Sequence, residues 1–242
     1  MSLTEQEILR YSRHIILPEV GGRGQKKLKG ASVLLAGVGA AGSAAALYLA
    51  AAGVGRLTLW DPALLTLQDL EGGIAHDRSR IGMPRARSAA EPLRAINPDA
   101  DVAVLDREND VAGSVAEHQV VLLSAGDWSD LEPAVLKAGG SAVLYAVHGA
   151  RGAVTVIRPE GPCLACLGAR AQAFGLYPED GAVPAVAAAA GVVGVVAATE
   201  AVKLIIGAGT PLTGRVFRYD GWLARFDEEY FERNATCPVC HG

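Results

Sequence analysis

The sequence predicts an α/β fold: a Rossmann-like, doubly wound, mostly parallel sheet with a C-terminal antiparallel extension. Three observations predict it. Apolar runs of strand length alternate with helical patterns through residues 1–150, the order that right-handed β-α-β crossovers produce. The run SVLLAG (32–37) shows no polar alternation, as expected of a strand covered on both faces. Directly after it comes G-x-G-x-x-G, with Gly37, Gly39 and Gly42, opening an alanine-rich helical stretch.

The elements follow in order. Thr4 to about His14 reads as one polar-faced helix with Thr4 as N-cap. GGRG at 21–24 reads as a turn, and QKKLKG as a short helix ending at Gly30. ASVLLAG (31–37) is a buried strand, 41–52 a helix that Gly53 ends, and RLTLW (56–60) the second strand. Helical periodicity returns from Arg85 to Ile96, with NPD as the stop. DVAVL (101–105) and QVVLLSA (119–125) are further strands, and PAVLKAG is a short helix end. SAVLYAV (141–147) and GAVTVIR (152–158) are strands, a long helix runs from about 189 to 206, and 214–230 reads as a late hairpin. With no repeat or low-complexity linker, one domain over 1–242 is expected: N-terminal helices (1–30), a nucleotide-binding core (31–150) and a C-terminal part (151–242).

Hydrophobic residues make up 50% of the chain and charged residues 20%, ample for a core. The net charge of -4 argues against a nucleic-acid binder, which carries a basic surface. Only the stretch 182–207 raises the question of a membrane span. Pro184, Glu200 and Lys203 interrupt it, so a buried or dimer-interface helix is expected and no membrane. The first residues hold acidic side chains and no apolar core of a secretory signal, so a cytoplasmic location is expected.

Four cysteines form two C-x-x-C pairs, Cys163/Cys166 and Cys237/Cys240. Disulfides are rare in cytosolic proteins, whereas two such pairs supply a tetrahedral four-cysteine Zn2+ site. The pairs lie far apart in sequence, so that site would tether two remote segments.

In the glycine loop, one glycine allows the tight turn, one lets backbone approach a phosphate, and one lets the helix pack on the strand. Amides at the helix start then face the anion. Asp61, at the end of the second strand, stands where such folds keep an acid for a ribose hydroxyl. NAD and ATP both offer a ribose and phosphates, so the loop alone leaves the nucleotide open.

The flanks are more specific. RYSRHIILPEVGGRGQKKLKGASVLLAGVGAAGS (10–43) strongly resembles the start of the ThiF/MoeB/HesA family, bacterial relatives of the ubiquitin-activating enzymes. Further matches are YLAAAGVG (48–55), INPD (96–99), GPCLACL (161–167), EAVKLIIG (200–207), YD (219–220) and RNATCPVC (233–240), so the resemblance spans nearly the whole chain. It implies an ATP-dependent adenylyltransferase acting on the C-terminal carboxylate of a small ubiquitin-like sulfur-carrier protein. It also implies a homodimer and a structural zinc on the two cysteine pairs. Arg13 matches an arginine that reaches the triphosphate across the dimer, Asp61 the ribose-binding acid, and Asp127 a Mg2+-binding aspartate. Each has a plainer reading: a solvated helix charge for Arg13, a cap for Asp61, an N-cap for Asp127. His148 lies near where the family positions the carrier tail. Trp60 reads as packed, and Trp128 as a side chain for stacking on adenine.

The sequence also departs from the family. Where S-N-L-x-R-Q is expected, Asp69 takes the Asn position, Gly72 the Arg position and Gly73 the Gln position. Losing that arginine removes a charge worth about 3 kcal/mol or more at a phosphate-transfer centre, so restoring it at 72 is expected to help. Asp69 adds a carboxylate there, which deepens the shortage of positive charge unless it binds Mg2+. Arg85 stands for the family's lysine, keeping the charge with another geometry. Ser124 and Trp128 replace an acid and an Asn. No cysteine lies between Cys166 and Cys237, so a thioester or persulfide through the crossover cysteine of many members is excluded. A catalytically degenerate, nucleotide- or carrier-binding partner subunit is the second reading, and an NAD-dependent oxidoreductase a remote third.

Overall fold

The computed structural model describes residues 2–105, 108–124, 131–176 and 184–240. Asp127 and Trp128 lie outside them. Among the described residues the strands are β1 (Ser32–Ala36), β2 (Arg56–Trp60), β3 (Asp101–Val104), β4 (Val120–Ser124), β5 (Ser141–His148), β6 (Arg151–Ile157), β7 (Arg215–Asp220) and β8 (Arg225–Tyr230). They form one sheet in the order β3-β2-β1-β4-β5-β6-β7-β8. The first five are mutually parallel, and β6, β7 and β8 continue the same sheet antiparallel. From β1 the chain winds outward to β2 and β3, then returns to lay β4 on the other side. That reversal opens a crevice above the carboxyl ends of β1 and β4, the usual ligand position in such sheets.

The helices are α1 (Glu5–Arg10), α2 (Ser12–Ile15), α3 (Gly21–Gly30), α4 (Ala40–Ala52), α5 (Arg85–Ile96), α6 (Glu108–Ser114), α7 (Glu132–Lys137), α8 (Leu164–Leu167), α9 (Ala169–Ala173) and α10 (Ala187–Ile206). Side chains alternate along a strand, and in β1 both faces are dry. Val33 and Leu35 join a core with Ala45 and Leu49 of α4, Leu93 of α5 and Val193 of α10. Leu34 and Ala36 join a second core with Val111, Val135 and Leu164. Two buried faces explain the unbroken apolar run.

Two expected elements differ. The first helix is broken at Tyr11, whose ring is 6% exposed and whose hydroxyl accepts from Asn97 Nδ2 at 3.1 Å. Tying that ring inward turns the chain between α1 and α2. Thr4 caps α1 as expected, reciprocally with Glu7. GGRG is not a turn but the first turn of α3: a Cβ on Gly24 would sit 3.2 Å from Val20 Cγ1 and 3.6 Å from Ile206 Cγ2. Close packing outweighs glycine's weak helix propensity of about 1 kcal/mol.

α10 is long and apolar enough to cross a membrane, with a mean hydropathy of 1.9. Here it is a core helix. Ala190, Val193, Ala197 and Ala201 are fully buried, and a Cβ on Gly194 would lie 2.1 Å from the Ala41 carbonyl of α4.

Candidate functional site

The glycine loop joins β1 to α4 in the crevice. Gly37 has φ +92, a conformation that L side chains rarely adopt, and its N–H donates to the Trp60 carbonyl at 2.8 Å. Gly42 is held by space: a Cβ there would lie 2.1 Å from the Gly37 carbonyl oxygen. Gly39, the N-cap of α4, has φ -68, and a Cβ there would meet nothing within 4 Å. The turn and the close packing are thus met by protein, and among the described residues no atom lies within 4 Å of the open side of Gly39. Gly39→Ala is expected to keep the thermal midpoint while lowering nucleotide affinity about tenfold or more. Gly42→Ala is expected to lose about 1–3 kcal/mol of stability by overpacking. Thermal unfolding beside calorimetric titration with ATP separates the two, and equal behaviour of both variants would contradict the assignment.

Asp61 follows β2 and is 4% exposed. Its Oδ2 accepts from the Val38 N–H at 3.0 Å and its Oδ1 from the Ala63 N–H at 3.1 Å. Burial pushes its carboxyl above the ordinary value, against those hydrogen bonds and Arg85. Arg85 opens α5 and reaches between two acids: Nη2 lies 2.7 Å from Asp69 Oδ1, and Nη1 3.8 Å from Asp61 Oδ2. The other Asp69 oxygen accepts from the Thr66 N–H at 2.7 Å and hydroxyl at 2.8 Å. These bonds and Arg85 together outweigh burial and hold the Asp69 carboxyl below its usual range. Asp69 thus fixes a turn and an arginine, with both oxygens engaged.

The loop also has supports that the sequence reading missed. Tyr145 of β5, fully buried, donates its hydroxyl to the Gly37 carbonyl at 3.3 Å. Ser43 Oγ and His76 Nε2 both meet the Val38 carbonyl, at 3.0 and 2.9 Å. His76 sits in the irregular segment between β2 and α5, where no periodicity marks it. Trp60 is buried, as its packed reading expected.

Arg13 is exposed on α2. Its neighbours are tied to the C-terminal end of α4: His14 Nδ1 meets Gln25 Oε1 at 3.1 Å, and Gln25 donates to the Ala52 carbonyl at 2.9 Å. The glycine loop is at the other end of that helix, about 20 Å away at 1.5 Å per residue. The structure does not bring Arg13 to its own chain's loop.

A cavity of 740 Å³ opens at the ends of β5, β6 and β7, lined among others by His148, Arg151, Phe174, Arg218, Asp220 and Trp222. Arg151 pairs with Asp220 at 2.9 Å, and Arg218 lies over the Phe174 ring. His148 and Tyr145 are three residues apart on β5, roughly 10 Å along the strand, with their side chains on opposite faces of the sheet.

The four cysteines meet. Cys163 Sγ lies 3.7 Å from Cys166 and 3.5 Å from Cys237, Cys166 lies 3.5 Å from Cys240, and all four sulfurs fall within 4.8 Å of one another. A tetrahedral zinc with bonds of about 2.3 Å needs sulfurs about 3.8 Å apart, so the donor set fits that ion. The Asn234 N–H points at Cys166 Sγ from 3.4 Å. Buried Glu132, at the start of α7, accepts from the Leu164 N–H inside the first C-x-x-C at 2.8 Å.

Comparison with known proteins bears on the whole chain. The profile of the ThiF family matches residues 11–239. The SAMP-activating enzyme E1 of Haloferax volcanii is 36% identical over 251 residues, covering 99% of this chain and 91% of that protein. The molybdopterin-synthase adenylyltransferase of Escherichia coli is 35% identical over 255 residues, covering 98% of each. The sulfur carrier protein adenylyltransferase of Thermus thermophilus is 34% identical over 260 residues, covering 99% and 93%. Among solved structures, that of E. coli MccB with ATP is similar in fold, with TM-score 0.82 over 96% of this chain and 73% of that chain at 16% identity.

Proposed function

The chain belongs to the ThiF family, and from that premise we propose that it is an ATP-dependent adenylyltransferase activating the C-terminal carboxylate of a small ubiquitin-like sulfur-carrier protein. The observation that carries the reading is the glycine loop, held on its inner side and with no atom of the described residues within 4 Å of the open side of Gly39, in a chain aligned end to end with adenylyltransferases. A carboxylate oxygen of the carrier attacks the α-phosphorus of ATP, the bond from that phosphorus to the bridging oxygen breaks, and pyrophosphate leaves. Arg85 is assigned to the growing charge on the phosphates, and Asp61, at the end of β2, to the ribose hydroxyls. Asp127 is assigned to Mg2+. The carrier tail is assigned to the cavity at His148. The zinc on Cys163, Cys166, Cys237 and Cys240 has a structural part.

The reading includes a homodimer in which Arg13 serves the partner's triphosphate. It is supported by the distance between Arg13 and its own loop, and by exposed Ile8, Leu9, Ile16 and Leu17 on the same segment. ATP–pyrophosphate exchange with candidate carriers tests the activity. Arg13→Ala and Arg85→Ala are each expected to abolish exchange. Mixing the two chains is expected to restore roughly a quarter of it, since half of randomly mixed two-fold dimers hold one intact site. Exchange that stays absent on mixing would exclude sharing of Arg13. One observation favours the second reading, a non-catalytic nucleotide-binding subunit: Arg85 is already neutralised by Asp69 and Asp61. Tight ATP binding without exchange for any carrier would favour it. The end-to-end match to adenylyltransferases counts against the NAD-dependent alternative.

A further inference from the structure

Two consecutive peptide planes of the glycine loop are gripped by side chains. A trans peptide points its C=O and N–H in opposite directions, so fixing one end fixes the other. In the Gly37–Val38 plane, Tyr145 donates to the carbonyl and Asp61 accepts from the N–H. In the Val38–Gly39 plane, the Val38 carbonyl accepts from Ser43 and faces His76 Nε2 at 2.9 Å. The Gly39 N–H of that plane is thereby turned away from His76.

His76 is itself held in one state. A carbonyl oxygen only accepts, so Nε2 carries the proton. Nδ1 lies 2.9 Å from the Ser88 hydroxyl, which donates to it in the neutral ring. Ser88 stands one turn into α5, the helix that begins with Arg85. Room for the ring comes from the glycine that replaces the family's glutamine: a Cβ on Gly73 would lie 2.6 Å from His76 Cδ2.

We propose that His76 is a positioning residue for the nucleotide loop, setting the Val38–Gly39 peptide so that the Gly39 N–H is presented to a nucleotide phosphate and linking that peptide through Ser88 to the helix that carries Arg85. The inference rests on the nucleotide reading of the loop. It adds a residue that touches neither phosphate nor ribose in that reading.

Three chains test it: wild type, His76→Phe, which keeps a ring and loses both hydrogen bonds, and His76→Gln, whose amide nitrogen reaches the Nε2 position. ATP affinity is read by calorimetry, and amide hydrogen exchange reads the 37–42 segment against the rest of the sheet. His76→Phe is expected to bind ATP about tenfold more weakly and to exchange faster at 37–42 alone, with β1 and β4 protected as in wild type. His76→Gln is expected to recover most of both. ATP affinity unchanged in His76→Phe would overturn the inference, as would a Gln variant as weak as Phe. Faster exchange across the whole sheet would also overturn it, by reducing His76 to a stabilising residue. If wild type binds no ATP, the nucleotide reading fails instead. Loop exchange in His76→Phe then still decides whether His76 sets the peptide.

Discussion

Cys163→Ser is expected to lose bound zinc and to unfold the C-terminal part of the chain. One zinc per chain is expected in the wild-type protein by elemental analysis. Four sulfurs already sit near tetrahedral spacing, and they join the segment after β6 to the segment after β8. Structural zinc contributes on the order of 10 kcal/mol in small zinc domains, comparable to the whole stability of an ordinary domain, about 5–15 kcal/mol. Serine removes one thiolate from the set, and Cys163 is fully buried in the second core. The disturbance reaches α7, because Glu132 holds the Leu164 N–H beside it. The checks are metal content, thermal unfolding with and without a chelator, and proteolysis of 160–240. A metal-free preparation with the thermal midpoint of the loaded protein would contradict the assignment.

The second large effect reverses an expectation from charge alone. Gly72→Arg restores the family's cation at a site short of positive charge, a contact worth about 1.5–3 kcal/mol in favourable geometry. Space decides against it. A Cβ at 72 would lie 2.8 Å from Ala40 Cβ, with Ala187 Cα and Cβ at 3.6 and 3.7 Å. Ala40 and Ala187 are the first residues of α4 and α10. Neither methyl can swing aside without moving a helix start, and Ala40 adjoins Gly39. Overpacking of this kind costs about 1–3 kcal/mol, and it acts before the guanidinium finds a phosphate. Gly72→Ala isolates the steric part and is expected to weaken ATP binding by tenfold or more. Gly72→Arg is expected to be no better than Gly72→Ala. Titration of both variants with ATP measures it, and tighter binding by Gly72→Arg than by wild type would show that the turn yields and the missing charge was the limit.

Where one dominant physical cause governs a residue, the sequence was readable. β1 and β4 are apolar on both sides because both sides are covered. The glycine spacing of 37, 39 and 42 is dictated by a turn and a helix contact within six residues. Four cysteines in two pairs have few arrangements open to them. The residues that escaped are set by neighbours distant in sequence. Gly24 lies in a helix against Val20 and the remote Ile206, a contact that the local GGRG pattern does not show. His76 is placed by Val38 and Ser88, and Asp69 by an arginine sixteen positions on; nothing in the local pattern of 61–85 distinguishes these from solvated loop residues. Asp127 lies beyond the described residues, and its assignment rests on the family alone.

Chain statistics give the order of strands a further meaning. β7 and β8 meet across a short turn, and β5 and β6 across a shorter one. β1 and β4 pair Val33 with Val120, roughly 90 positions later. Closing a loop of that length costs about 3 kcal/mol more in chain entropy than closing a hairpin, and no other neighbouring pair in the sheet spans as much chain. The seam above which the glycine loop sits is therefore the least local strand pairing in the sheet, and non-local pairings of this kind slow folding. Three helices and two strands, β2 and β3, lie in the chain between the two sides of that seam, so the crevice is a product of the assembled sheet and not of a short fragment of it.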